Sequence, residues 1–239
     1  MQIKASRSPG AYAATFMLRF VVTLCCLAAC CAWAEPRPPA RDHAPAEFFA
    51  AADGGVDAPG ARFLATLPVS ARDAVRREGY ALLDQKSAGG GPSLLRAVVR
   101  FDRPRDEVFA LITQPSQQKT FLPHVEQSKT VGERTAEGEA IDMVVSFLFT
   151  FRYRTQHWYY PDEHRMEWNL DTAGGDGLME QFGFWQLYEL DEKTTIAEYG
   201  TRIVARGALL NFLRSLGERG AIGDALEAFR KHVHTAKLD

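Results

Sequence analysis

One strand-like segment concentrates the side chains that could hold a ligand or move a proton. Between residues 151 and 160, strict alternation places Phe151, Tyr153, Thr155, His157 and Tyr159 on one face, with arginine and glutamine between them. The aromatic face is predicted to point inward and the arginines to solvent. An imidazole beside phenols could act as an acid-base pair, with His157 as the general base and a tyrosine as the proton donor. The same lining fits an apolar pocket with a few polar anchors, or a packed core.

Three later strand-like segments carry similar inward rows, opposed by polar side chains such as Glu167, Asn169, Glu198 and Arg202. The inner faces are therefore aromatic, with a few hydroxyl groups and one imidazole. The candidate ligand contacts are Phe151, Tyr153, Thr155, His157, Tyr159, Met166, Trp168, Trp185 and Tyr199, completed by Phe212 and Leu216 near the carboxyl terminus.

The sequence motifs of metal- and nucleotide-dependent chemistry are missing. There is no G-x-S-x-G, no phosphate-binding glycine loop ending in Lys-Ser/Thr, no G-x-G-x-x-G after a strand and no H-E-x-x-H. His232 and His234 are two residues apart on a predicted helix and point in different directions, which argues against a shared metal. We therefore expect no metal, no cofactor and no assigned catalytic residue.

The charge pattern argues against nucleic acid as a partner. The formal net charge is -2, from 28 basic and 30 acidic residues dispersed along the chain. Binding to a phosphate backbone needs a basic stripe or patch, and none is present in the sequence.

The first 34 residues have the pattern of an export signal. Lys4, Arg7 and Arg19 form a positive flank, residues 20–31 are apolar, and Ala32-Trp33-Ala34 supplies a small-x-small cleavage site. We expect a signal peptide over 1–34, beginning at Met1 or Met17, and a periplasmic or secreted protein. All 4 cysteines lie in this segment, so a cleaved chain has no disulfide framework. Leu27-Ala28-Ala29-Cys30 resembles a lipobox, so a lipoprotein anchored at Cys30, in contact with a membrane surface, is the alternative.

Composition divides the remainder into a linker and a domain. Residues 35–69 are rich in Pro, Ala and Gly, which is linker composition, and we assign 70–239 to one domain. A short helix is predicted over 70–77, a hairpin over 80–101, a helix opening at Pro104, and then six strands up to residue 205. Apolar residues at steps of three and four predict a terminal amphipathic helix. Strands followed by a covering helix indicate an α+β fold.

Several short segments, taken in order, resemble the START/Bet v1-like (SRPBCC, helix-grip) superfamily, of the cyclase/dehydrase or coenzyme-Q-binding type. Ala97 to Phe109 is similar to the family's first strand followed by a Pro-x-x-x-Val-Phe helix. Phe121-Leu122-Pro123-His124-Val125, Phe184-Trp185-Gln186-Leu187, 194–203 and the closing helix follow in the family's order. The resemblance covers about residues 94–236. It implies a curved antiparallel sheet wrapped around a long C-terminal helix, enclosing a hydrophobic tunnel for lipids, isoprenoids or polyketides.

These observations predict an exported, monomeric protein that binds or carries a hydrophobic small molecule in an internal cavity. The ligand is expected to be a lipid, an isoprenoid or a quinone-like compound. One alternative is a cyclase/dehydrase-type enzyme that uses a His/Tyr pair in the same cavity, with His157 and Tyr153, Tyr159 or Tyr199. The other is a protein-interaction module, which would have a filled core and an exposed apolar patch.

Overall fold

Turn-forming residues divide the chain into strands that join one antiparallel sheet. The computed structural model describes residues 58–86, 93–136, 138–146, 150–171, 178–207 and 221–237. The strands are β1 (Tyr80–Lys86), β2 (Ser93–Phe101), β3 (Val125–Val131), β4 (Gly138–Ser146), β5 (Thr150–Tyr160), β6 (Arg165–Asp171), β7 (Leu178–Asp191) and β8 (Thr194–Ala205). Their order in the sheet is β1-β2-β8-β7-β6-β5-β4-β3.

Four α-helices are described around this sheet: α1 (Pro59–Thr66), α2 (Val69–Glu78), α3 (Arg105–Ile112) and α4 (Ala221–Thr235). Pro104 precedes α3 as its N-cap, and Pro115 opens a short 3₁₀ helix, Pro115–Thr120. Helix α2 ends at Gly79, whose φ of 82° is the left-handed conformation that glycine adopts most readily. No helix in the described parts of the chain is long and apolar enough to span a bilayer.

One core lies between the sheet and helices α3 and α4, on what we call the inner face. Buried residues of β2, β7 and β8, including Phe101, Trp185 and Leu187, pack against Leu226 and Val233 of α4. The ring centroids of Trp185 and Phe229 are 5.5 Å apart, which fixes the terminal helix across the sheet. Strand pairing, the hairpin and the helix after Pro104 therefore agree with the α+β helix-grip fold expected from the sequence.

A second core lies on the opposite, outer face of the sheet. Phe63 and Leu67 of the first helical segment and Val75 of α2 are buried there against Val98 and Ile196. The Phe63 and Tyr188 rings stack with centroids 4.6 Å apart. Helix α1 thus falls within residues 35–69, which the composition assigned to a linker, at positions where no helix was predicted. The composition is misleading here because α1 is short and is stabilised by tertiary packing rather than by helix propensity.

The two helices also change the environment of polar residues on the outer face. On β5 Arg152 is exposed, as the alternation predicts, but Glu198 of β8 is buried. Glu198 is held by Arg96 of β2, with Arg96 Nη2 2.5 Å from Glu198 Oε1. A buried carboxylate needs such a partner, so the outer face of β2 and β8 is part of the protein interior rather than a solvated surface.

Candidate functional site

The aromatic row of β5 lies on the inner face. Phe151, Thr155, His157 and Tyr159 are buried, and Tyr153 is half-buried with its ring stacked on Phe151 at a centroid distance of 5.9 Å. The alternation read from the sequence therefore places all five side chains on the same side of the sheet.

The inward residues of the neighbouring strands meet this row. Met166, Trp168 and Trp185 are buried and Tyr199 is half-buried. The Tyr199 ring lies 5.9 Å from that of Trp168 and 4.8 Å from that of Trp185. These rings form one continuous aromatic layer. Phe212 and Leu216, the other two predicted contacts, lie outside the described residues.

A glycine makes room for the central indole of this layer. Gly183 of β7 is the register partner of Trp168 on β6. A Cβ atom built on Gly183 would stand 2.0 Å from Trp168 Cζ2, far inside van der Waals contact. Trp168 can therefore lie flat over the backbone of β7, with its ring 5.9 Å from that of His157.

His157 presents a ring nitrogen that the protein leaves unpaired. Its Nε2 is 2.9 Å from Thr155 Oγ1, whereas the buried Nδ1 has no hydrogen-bond partner among the described residues. Burial lowers the pKa of His157 to about 3, so the imidazole is neutral at physiological pH. A buried polar atom without a partner is destabilising, and a ligand group or a water molecule could satisfy it.

A carboxylate that the sequence analysis did not select stands beside His157. Glu139 of β4 is the register partner of His157, and its side chain is 1% exposed. It accepts hydrogen bonds from Tyr159 Oη at 2.7 Å and Thr130 Oγ1 at 2.6 Å. Arg134 Nη1 lies 3.2 Å from the same carboxylate. The signal was present in the sequence, because Glu139 is the one charged residue in the inward row that continues with Ile141, Met143 and Val145.

The inner face passes from a filled end to a more open one. At the filled end Phe101, Trp185 and Val233 are almost fully buried. Towards the other end Tyr153, Val145 and Ile203 are half-buried, although Phe151 and Met143 stay buried. Tyr199, which pairs with Trp185, is half-buried as well. His157 and Thr155 lie between the two ends, as register neighbours of Trp168 and Leu170 on β6.

The phenols of Tyr153 and Tyr199 are neutral hydrogen-bonding groups of the inner face. Burial raises the pKa of Tyr199 to about 12, and it raises the pKa of Tyr153 further above the usual value for tyrosine. Together with His157 they provide uncharged donors and acceptors in an apolar surrounding. Such a set can orient a ligand, but it offers no positive charge to an anion.

Two cavities are lined by described residues. One, of about 290 Å³, lies beside Asp142, Arg152 and Arg154 and is also bordered by Met143 and Tyr153. The other, of about 720 Å³, lies between the two N-terminal helices and β1. In the described parts of the chain no group of three or more His, Cys, Asp or Glu side chains is placed to hold a metal ion.

The sequence matches no protein-family model and no curated protein. The fold, in contrast, is shared with solved structures. An aromatase/cyclase from Streptomyces sp. R1128 has a TM-score of 0.53 and 14% identity, over 59% of this chain and 93% of that one. A Thermus thermophilus protein has a TM-score of 0.50 and 16% identity, over 59% of this chain and 96% of that one. A START superfamily protein from Mycobacterium smegmatis gives 0.49 and 13%, with the same coverage of both chains.

The chain has the START/Bet v1-like fold. This agrees with the resemblance found in the sequence between Ala97 and the closing helix. At these identities the similarity concerns the START/Bet v1-like fold alone, and a fold does not carry an activity with it.

Proposed function

We propose that this protein binds a neutral hydrophobic molecule between the inner face of its sheet and the terminal helix, and carries it outside the cytoplasm. The observation that supports this most is the unpaired Nδ1 of His157 within an aromatic layer. A purely structural core would leave few such atoms unsatisfied. The export pattern of residues 1–34 supports the location.

The electrostatics of the inner face favour an uncharged ligand. His157 is neutral, the phenols of Tyr153 and Tyr199 are neutral, and Glu139 already carries a negative charge beside them. Arg134 is a cation at the edge of this group, and it is engaged by Glu139. An anionic head group would therefore be desolvated next to a carboxylate, at a cost of several kcal/mol.

The ligand is expected to carry one hydrogen-bonding group on an apolar body, as isoprenoid alcohols and quinones do. If Thr155 donates its hydroxyl proton to His157 Nε2, the proton on Nδ1 can be donated to a ligand carbonyl. If Nε2 carries the proton, Nδ1 accepts from a ligand hydroxyl. Either tautomer provides one new hydrogen bond, worth about 0.5–1.5 kcal/mol.

The cyclase/dehydrase-type enzyme is the less supported alternative. A general base works best when its pKa is near the working pH, and burial holds the pKa of His157 at about 3. The phenols have raised pKa values, so they are weak proton donors as well.

A displacement experiment tests the proposal. The delipidated protein is titrated with the neutral fluorescent probe N-phenyl-1-naphthylamine, which is then displaced by farnesol, by its hydrocarbon analogue farnesene and by the farnesoate anion. The wild type should bind farnesol about 3- to 10-fold more tightly than farnesene, which corresponds to one hydrogen bond. Farnesoate should bind most weakly.

His157→Phe keeps a flat ring over Trp168 and removes both nitrogens. It should still bind the probe but should lose the preference for farnesol over farnesene. Lys129→Phe, at an exposed position of β3, is the control and should behave as wild type. The proposal fails if the wild type takes up no probe, or if the farnesol preference survives His157→Phe.

A further inference from the structure

The groove between the N-terminal helices and β1 has the features of a second binding site on the outer face of the sheet. Its volume is about 720 Å³, and its middle is lined by small and apolar side chains, among them Leu67, Ala71, Ala74, Ala81 and Leu83. The groove is separate from the inner face, because the sheet itself lies between them.

The groove is elongated. Helix α2 is joined to β1 by Gly79 alone, so the helix and the strand lie side by side and run in opposite directions. Ten helical residues span about 15 Å. Glu78 and Tyr80 therefore mark one end of the groove, and Ser70 and Asp84 mark the other.

A β-bulge places a carboxylate at the far end. In the pairing of β1 with β2, Leu82 is opposite Ala97 and Asp84 is opposite Arg96, so Leu83 is an extra residue. Without this bulge, the two-residue period would send Asp84 to the inner face. With it, Leu83 packs with the outer core and Asp84 lies beside it on the same face.

At that end of the groove the carboxylates of Asp84 and Glu198 face the guanidinium of Arg96. Arg96 is committed to Glu198, through Nη2 at 2.5 Å and Nε at 3.2 Å from Glu198 Oε1. The nearest guanidinium nitrogen is 3.7 Å from Asp84 Oδ2, which is beyond hydrogen-bond distance. The Asp84 side chain is 42% exposed at the mouth of the groove. Asp84 and Glu198 thus flank the Arg96 guanidinium next to an apolar channel. Arg165 also acts on Glu198 but is itself paired with Glu167.

We propose that this groove binds an amphiphilic ammonium compound, with the ammonium group at Asp84 and its apolar chain along α2 and β1. An ammonium donor at Asp84 would make the charge-assisted hydrogen bond that Arg96 does not make. The apolar chain would cover Ala74 and Leu83, which are otherwise partly exposed. An anionic or neutral head group gains no such contact.

Binding of decylamine to the full protein tests this inference, with decanol and decanoate as probes of matched chain length. Calorimetric titration should give an affinity for decylamine about fivefold above that for decanol, since a partly exposed ion pair contributes up to about 1 kcal/mol. Decanoate should bind most weakly. Equal affinities for decylamine and decanol would overturn the proposal.

Variants locate the site. Asp84→Asn should reduce the affinity for decylamine about fivefold and leave that for decanol unchanged, whereas Asp73→Asn, on α2 outside the groove, should change neither. Ala74→Trp should fill the groove and abolish decylamine binding, with circular dichroism verifying that the variant folds. If Asp84→Asn has no more effect than Asp73→Asn, the site is not where we place it.

The outcome is independent of the inner-face proposal. Displacement of N-phenyl-1-naphthylamine by farnesol should be the same in Asp84→Asn and in the wild type. Decylamine binding should likewise survive His157→Phe, and loss of decylamine binding in that variant would assign the amine to the inner face and overturn the groove site.

Discussion

Two glycines on adjacent strands allow the inner face to be tested against the outer face. Gly183 of β7 lies under Trp168 on the inner face, and Gly200 of β8 lies under Phe184 on the outer face. A Cβ at Gly183 would be 2.0 Å from Trp168 Cζ2, and a Cβ at Gly200 would be 2.3 Å from Phe184 Cε1. Neither glycine has a positive φ, so alanine introduces overpacking rather than backbone strain.

Gly183→Ala and Gly200→Ala should each lower the free energy of unfolding by about 1–3 kcal/mol, the usual cost of overpacking a core. Both aromatic rings are buried by neighbouring strands, so neither can swing freely into solvent. Urea denaturation followed by circular dichroism measures this loss as a shift in midpoint at constant slope.

Ligand binding should separate the two variants. Gly183→Ala pushes the Trp168 indole towards His157 and Tyr199, which lie 5.9 Å from it on either side, and should weaken binding of the neutral probe about tenfold, or about 1.4 kcal/mol. Gly200→Ala moves Phe184 and the Arg165 guanidinium stacked on it, both on the outer face, and should leave the affinity unchanged. Equal effects on binding would refute the assignment of the ligand to the inner face, and unchanged stability in Gly183→Ala would refute the close packing of Trp168.

Further perturbations test the stability of the parts that frame the site. Burial lowers the pKa of His157 from 6.5 to about 3, so the unfolded state takes up a proton at a higher pH than the folded state. As the pH falls from 6.5 towards 3, His157 should therefore lower the free energy of unfolding by up to about 1.4 kcal/mol per pH unit. His157→Phe should remove this contribution when denaturation is measured at several pH values. Glu139→Gln should cost about 1–3 kcal/mol in chemical denaturation, because Tyr159, Thr130 and Arg134 lose a charged acceptor, while Glu133→Gln on the exposed loop should cost nothing measurable. Phe63→Ala should cost about 3–5 kcal/mol through loss of the stack on Tyr188, against no measurable change for exposed Arg62→Ala; a loss below 1 kcal/mol would mean that α1 is not part of the folded domain.

The sheet could be predicted because its signals are local. Turn residues such as those at 161–164 and 191–193 bound the strands, and the two-residue period within each strand decides which side chains face inward. The inner positions of Tyr153, His157 and Trp168 follow from that period alone. Their side chains therefore meet where the sequence placed them.

The relations between strands could not be read in the same way. The pairing of Glu139 with His157 depends on the register of β4 against β5, and nothing within either strand specifies it. The bulge at Leu83 likewise changes which face Asp84 occupies, against the simple alternation. Helix α1 escaped prediction because its stability comes from packing Phe63 on Tyr188, a residue 125 positions away in the chain.

The signal peptide over 1–34, the lipid anchor at Cys30, the monomeric state and the roles of Phe212 and Leu216 stay predictions. Amino-terminal sequencing of the exported protein would distinguish cleavage after Ala34 from lipidation at Cys30. A blocked terminus carrying a lipid mass would favour the anchor, and a free Glu35 would favour the soluble form.

Native mass spectrometry of the exported protein, purified without detergent, tests the central claim most directly. We expect a fraction of molecules to carry one neutral small molecule that organic extraction removes and that farnesol can replace. The same adduct should be absent from, or strongly reduced in, Gly183→Ala. A protein that is always at its bare mass, and that takes up neither farnesol nor the fluorescent probe after extraction, would contradict it.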